Sequence, residues 1–239
     1  MKRPPSNRRV FKPAQPQQRW SIRLLRWLYL AVFSFYVMCF GALFYLKWLP
    51  PLWTTVQVQR RIEALVLSES YTKQSDFIPL AEMSPHLAHA AIAAEDSRFF
   101  DHGGIDWREL ETLLDRAKDR GHLSRGGSTI TQQLVKNLFL TTYRSLARKA
   151  LEFTLTPLAE MVLTKERILE LYLNVVEWGP GVYGAEAAAQ FHYGISAKRL
   201  TREQAARLVA CLPAPLERRP QDMGDRAVDI SARMQDMGW

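Results

Sequence analysis

The pattern of apolar and polar positions divides the chain into distinct stretches. Residues 1–20 are rich in Pro, Arg and Gln, with few apolar positions, which predicts a disordered tail. From Trp27 to Leu46 no position is charged and most side chains are large and apolar. As a helix, those twenty residues would rise ~30 Å, the hydrocarbon thickness of a bilayer. Residues 47–77 are mixed and read as a juxtamembrane linker with some helix. From Ile78 onward, apolar residues recur every three or four positions, as in helices that bury one face. No stretch of useful length alternates with period two, so residues 78–239 are expected to form one all-α domain.

Helix starts are legible inside that domain. Ser84-Pro85 reads as an N-cap with proline at the first helical position. Asp106 with Glu109, and Thr201 with Gln204, have capping-box spacing, and Thr164 precedes a further apolar-periodic run. Gly121–Gly127 holds three glycines in seven residues and is expected to be a mobile loop beside any active site.

Charge refines this picture. The net charge is +8, and Lys2, Arg3, Arg8, Arg9, Lys12, Arg19, Arg23 and Arg26 supply eight positives with no acid among residues 1–26. Residues 27–239 therefore sum to zero. A basic flank before an apolar span orients it, so the positive-inside rule places residues 1–26 in the cytoplasm and the domain outside. Trp27, Tyr29, Trp48 and Trp53 stand near the two ends of the span, as an aromatic belt would. The neutral domain argues against nucleic acid as a partner. The two cysteines, Cys39 in the span and Cys211, give the exterior domain no internal disulfide, and no metal-ligand spacing is evident.

Three blocks carry candidate chemistry. In the first, Glu95-Asp96 follows an Ala-rich helix, with His102 and Gly103-Gly104 beyond. A carboxylate at a helix C-terminus meets partial negative charge, and burial adds to that effect; both raise its pKa and suit a general base near neutral pH. A solvated turn would have the same residues. In the second block, a helix read from Ser128 puts Thr129, Gln132, Gln133 and Lys136 on one face, with no acid. After two glycines, its N-terminus suits an anion, and the face suits sugar hydroxyls with a phosphate. An ordinary solvent face remains the other reading. In the third, Arg148, Lys149 and Glu152 lie within one helical turn, either as a surface ion pair or as a cationic clamp for a diphosphate beside a second carboxylate. Pro157 should kink that helix.

Taken together, these blocks resemble the peptidoglycan glycosyltransferase family. Glu95-Asp-x-x-Phe99-x-x-His102-x-Gly104 comes first, then Gly126-Gly-Ser128-Thr129-x-Thr-Gln-Gln133-x-x-Lys136-Asn137, then Arg148-Lys149-x-x-Glu152. Arg167-Ile-Leu-Glu-Leu-Tyr172-Leu-Asn174 and Trp178-Gly-Pro-Gly-Val-Tyr183-Gly184-Ala-Glu186 follow in order. The resemblance covers about residues 78–220 and is closest to the monofunctional members. With the chain closing at Trp239, no transpeptidase domain is expected. Ser70-x-x-Lys73 fits a Ser-x-x-Lys pattern but has no partner motifs and is read as chance.

The resemblance implies a lysozyme-like fold of two helical lobes with a groove between them. It implies polymerisation of lipid II onto a lipid-linked glycan strand, with inversion at the anomeric carbon and release of polyprenyl diphosphate. On that basis Glu95 would be the base and Glu152 would act on the donor side. Lys136, Arg148 and Lys149 would stabilise the diphosphate. Ser128, Thr129, Gln133 and Asn137 would line the groove, and Asp96, Phe99 and His102 would shape the site around Glu95. No cofactor is expected to be tightly bound, although a divalent cation such as Mg2+ could assist at the diphosphate. Expected partners are lipid II, the lipid-linked strand, the membrane and other cell-wall synthesis or division proteins. The expected location is the inner membrane, single-pass, with the N-terminus cytoplasmic and the catalytic domain periplasmic. The rival readings are a glycan-cleaving lysozyme-like enzyme, which needs no diphosphate clamp, and an inactive scaffold, which needs neither carboxylate.

Overall fold

A computed structural model describes residues 16–120 and 127–239. The predicted loop at Gly121–Gly127 therefore falls, apart from Gly127, outside the described residues, as do residues 1–15 of the predicted disordered tail. The chain divides into two units, Met1–Cys39 and Phe40–Trp239.

Helix α1, Pro16–Leu46, runs through the end of the first unit into the second and starts earlier than the uncharged run. Residues 16–20, read from sequence as part of the disordered tail, are helical instead, because they continue the first turns of this long helix. Within α1, Trp20–Leu46 is long and apolar enough to cross a membrane, and most of it is exposed. Among the described residues it is the one such helix.

The second unit is all-α with one small sheet. Its helices are α2 Thr55–Leu67, α3 Pro85–Glu95, α4 Trp107–Arg120, α5 Ile130–Phe139 and α6 Leu146–Val162. They continue with α7 Lys165–Val175, α8 Ala185–Tyr193, α9 Arg202–Cys211 and α10 Gly224–Asp236. Strands β1 Gln74–Ser75, β2 Glu177–Gly179 and β3 Val182–Tyr183 pair in the order β1-β3-β2, with β1 parallel and β2 antiparallel to β3. At two or three residues each, they are too short to show an alternating pattern.

Local chemistry accounts for most helix starts. Thr164 accepts from the Arg167 amide, and Thr201 and Gln204 form a reciprocal capping box, so orphan amide groups are satisfied at each start. Asp106 accepts from the Glu109 amide (2.9 Å) one residue before α4. Ser84 precedes α3 as expected but does not cap it; its hydroxyl donates instead to the Leu200 carbonyl (2.8 Å), tying α3 to the start of α9. Helix α6 runs unbroken through Pro157, and the Thr156 hydroxyl donates to the Glu152 carbonyl (2.7 Å).

The stretch read as a linker is built into this unit. A capping box of Thr54 and Gln57 starts α2. The Thr55 hydroxyl donates to the Leu138 carbonyl (2.7 Å), and Arg60 pairs with the buried Glu177 (3.1 Å). At the C-terminal end of α1, the Arg167 guanidinium donates to the carbonyls of Leu46 and Leu49 (2.8 Å each), where a cation meets the negative end of a helix.

Two sets of helices share the core. Helix α5 packs on α6, α7 and α2 through Ile130, Leu134, Leu155, Leu171 and Tyr172, all fully buried. Helix α3 packs on α9 and α10 through Leu87, Ala90, Ala91, Val209 and Ile230, where the alanines let the backbones approach closely. The C-terminal end of α3 faces the N-terminal half of α5, so the two sets meet at Glu95 and Asp96.

Gly184 joins β3 to α8 with φ +88°, and a Cβ there would lie 2.8 Å from the Asn174 carbonyl oxygen. Both the backbone conformation and the contact exclude a side chain. Gly184→Ala should lower stability by about 1–3 kcal/mol, read as a lower midpoint in urea unfolding; an unchanged midpoint would mean this junction is not constrained.

Candidate active site

Asp96 follows α3 directly and is buried. Its Oδ2 accepts from the Ile130 amide (3.0 Å), the first residue of α5, and its Oδ1 accepts from His102 Nε2 (2.8 Å). His102 Nδ1 accepts from the Gly104 amide (3.1 Å), which places the imidazole proton on Nε2. The helix N-terminus predicted to receive a phosphate is therefore filled by a carboxylate of the chain itself. Thr129 and Gln132 close it further as a reciprocal capping box, so α5 starts at Ile130 and not at Ser128. The Thr129 hydroxyl also donates to the Gly104 carbonyl (2.6 Å). Gln132 is buried in that box, which removes it from the predicted polar face.

Asp96, His102 and Asp106 bring three potential metal-ligand atoms within 4.8 Å of one another. Their lone pairs are engaged within the chain: Asp96 and His102 as above, and Asp106 by Arg98 and the Glu109 amide. The group fits a self-satisfied network better than a metal site.

Asp96 fixes the register that places Glu95 against α5. Gln133 Nε2 donates to Glu95 Oε2 (2.7 Å), and the Tyr172 hydroxyl donates to Gln133 Oε1 (3.1 Å). The Asn137 side chain holds the Gln133 carbonyl (2.8 Å) one turn further along. Burial pushes the Glu95 carboxyl above its ordinary range, opposed by the Gln133 hydrogen bond and by Lys136 and Arg226. Lys136 is half-buried and makes no hydrogen bond or salt bridge among the described residues. Burial lowers its pKa, against the attraction of Glu152 and Glu95.

Glu152 is buried near the start of α6 and held by two cations, Arg148 (2.5 Å) and Lys149 (2.7 Å). An exposed i, i+4 pair would contribute little; this one is desolvated. Lys149 also donates to the Ser128 hydroxyl (2.8 Å), which links the block before α5 to the clamp on α6. Arg148 is braced by the Tyr143 carbonyl (2.8 Å). Phe99 is fully buried, with the Lys165 ammonium 4.5 Å above its ring.

A cleft of about 420 Å³ opens along Glu95, Asp96, Ser128 and Thr129. Its far wall is Arg233, Asp236 and Met237 at the end of α10, which sequence reasoning missed. Those residues lie more than eighty positions beyond Glu152 and belong to no short motif. The amphipathic spacing of Ala227, Ile230 and Met234, all buried, would have given the helix but not what its other face meets. Tyr172 was visible only as part of a motif, and its grip on Gln133 is a tertiary contact.

Comparison with known proteins identifies the family. A family model described as Transglycosylase matches residues 62–237. The biosynthetic peptidoglycan transglycosylase of Pseudomonas entomophila (strain L48) is 44% identical over 194 residues, covering 81% of this chain and 82% of that protein. The protein of the same name from Nitrosospira multiformis is 42% identical over 201 residues, covering 83% and 86%. That from Rhizobium leguminosarum bv. trifolii is 39% identical over 208 residues, covering 86% of each. With a family model spanning most of the chain and relatives this similar over most of their length, the chain belongs to the transglycosylase family.

Proposed function

We propose that the chain polymerises lipid II into β-1,4-linked glycan strands, with Glu95 as the base and the Glu152 cluster on the donor side. The observation that carries this reading is the unequal treatment of two carboxylates near a cation, Lys136, that has no partner among the described residues. Among the described residues Glu95 has a single, neutral hydrogen-bond donor, and its pKa is raised. Glu152 is bound by Arg148 and Lys149. Lys136 lies within electrostatic range of both. Environments that separate two carboxylates in this way assign them different roles.

In the proposed reaction the growing strand is held through its polyprenyl diphosphate by Lys136, Arg148 and Lys149. The 4-hydroxyl of the incoming lipid II attacks the donor's anomeric carbon, and its proton passes to Glu95. The bond from that carbon to the diphosphate oxygen breaks, and its electron pair leaves on the diphosphate, whose developing charge the three cations stabilise. Attack from the face opposite the leaving group inverts α to β. No tightly bound cofactor is needed, and a divalent cation such as Mg2+ would add to the charge stabilisation. A lysozyme-like hydrolase acting on uncharged glycan has no use for three cations at the donor side, which disfavours the cleaving alternative.

The span in α1 would hold the domain beside a substrate carried in the membrane. On this reading the basic flank faces the cytoplasm, and the catalytic domain acts at the outer face of the inner membrane.

Purified chain supplied with labelled lipid II in detergent should yield polymer that lysozyme degrades. Glu95→Gln should slow polymerisation by roughly 10²–10⁴-fold with unchanged thermal melting; a near-wild-type rate would remove Glu95 from the base role. The pH profile supplies an independent check. A base must be ionised, so activity falls as pH drops through the Glu95 pKa. Gln133→Met removes the hydrogen bond that holds this pKa down, so the acid limb of the rate profile should move to higher pH. A limb that stays in place would show that another group governs it.

A further inference from the structure

The polymerase reading accounts for the cations on one side of Glu95 and leaves those on the other side unexplained. Arg226 and Arg233 stand seven residues apart on one face of α10 and share a second cavity, of about 320 Å³, with Glu95 and Ala94. Arg233 also lines the first cleft, so the two openings meet at Glu95 and Arg233. Neither guanidinium makes a hydrogen bond or salt bridge among the described residues, and both are exposed. Asp229 faces the same cavity between them and forms no salt bridge with either. Arg226 is close enough to Glu95 to draw its pKa downward.

Folding favours Arg233, a cation in the last turn of α10, but not Arg226. Arg226 is the third residue of α10, where a cation opposes the positive end of the helix. The helix is held by the adjoining face, through Ala227, Ile230 and Met234, so the arginines are presented on a rigid support. Paired guanidinium groups beside a half-buried carboxylate suit an oxyanion, for which their fork geometry is matched.

We infer that Arg226 and Arg233 bind an anionic group of the acceptor, either its diphosphate or a carboxylate of its peptide, and so bring its hydroxyl to Glu95. This inference rests on the polymerase reading. The donor cations and the α10 arginines then grip different molecules, one on each side of the base.

The test uses the full chain with a preformed lipid-linked glycan oligomer as donor and labelled lipid II as acceptor, each varied in turn. Arg226→Gln/Arg233→Gln should raise KM for the acceptor by about tenfold or more, the worth of a charge-assisted hydrogen bond. KM for the donor and the melting temperature should stay close to wild type. Arg226→Lys/Arg233→Lys should recover part of the loss. Repeating the assay with an acceptor whose peptide carboxylates are amidated separates the two sources. A variant defect that persists assigns the diphosphate, and one that disappears assigns the peptide carboxylate. An unchanged acceptor KM in the double Gln variant would overturn the inference, as would equal increases in both KM values. Absence of polymer from the wild-type chain would instead sink the polymerase reading itself.

Discussion

The geometry of the site depends on one buried carboxylate. Asp96 ends α3, and its two oxygens hold the first amide of α5 and the imidazole of His102. A carboxylate at a helix N-terminus gains from both the free amide and the aligned peptide dipoles, which makes this a strong way to fix where one helix begins relative to another. The neighbouring Glu95 is then held against Gln133 and within electrostatic range of Lys136, both on α5. A slip of α5 by one turn, ~5.4 Å, would take both out of reach. The same contact explains why the glycine-preceded helix start, which suggested an anion site, is closed by the chain's own carboxylate.

Much of the fold was legible because it rests on local chemistry. The caps at Thr164 and Thr201 and the start of α4 after Asp106 need only residues three apart, and the structure forms them as read. The uncharged run of α1 was equally plain. The failures share a cause, which is that a polar side chain has several ways to satisfy itself. Gln132 looked ligand-facing and proved to be buried in a capping box with Thr129. Ser84 looked like a cap and bonds the Leu200 carbonyl. Only the packed neighbours decide between such options, and a one-dimensional pattern does not contain them. The strands of two or three residues and the docking of α2 through Thr55 and Arg60 were hidden for the same reason.

The site residues divide in the same way. Glu95, Glu152 and their cations could be picked out because unusual residue types stood together in the sequence. Phe99 and Asn137 could be named but not their contacts, since one is buried in the core and the other holds the Gln133 carbonyl. Arg226 and Arg233 look like ordinary surface charges in sequence. Their neighbour, Glu95, is 131 residues before the first of them.

Lys136 shows why this arrangement favours occupied over empty. A half-buried ammonium without a hydrogen-bonded partner has lost water and received only distant charges in return. Its lowered pKa reports that cost. Nearby acids could remove it, but Glu152 is already held by Arg148 and Lys149, and Glu95 by Gln133. On the proposed reading, a bound diphosphate supplies the missing anion. The leaving group then develops its full charge beside a cation that no described side chain has neutralised. An Arg148–Glu152 pair extended to include Lys136 would make the empty protein more stable and the site less able to stabilise that charge. On that reading a lysine without a partner among the described residues is stability given up at the place where the chemistry needs an uncompensated positive charge.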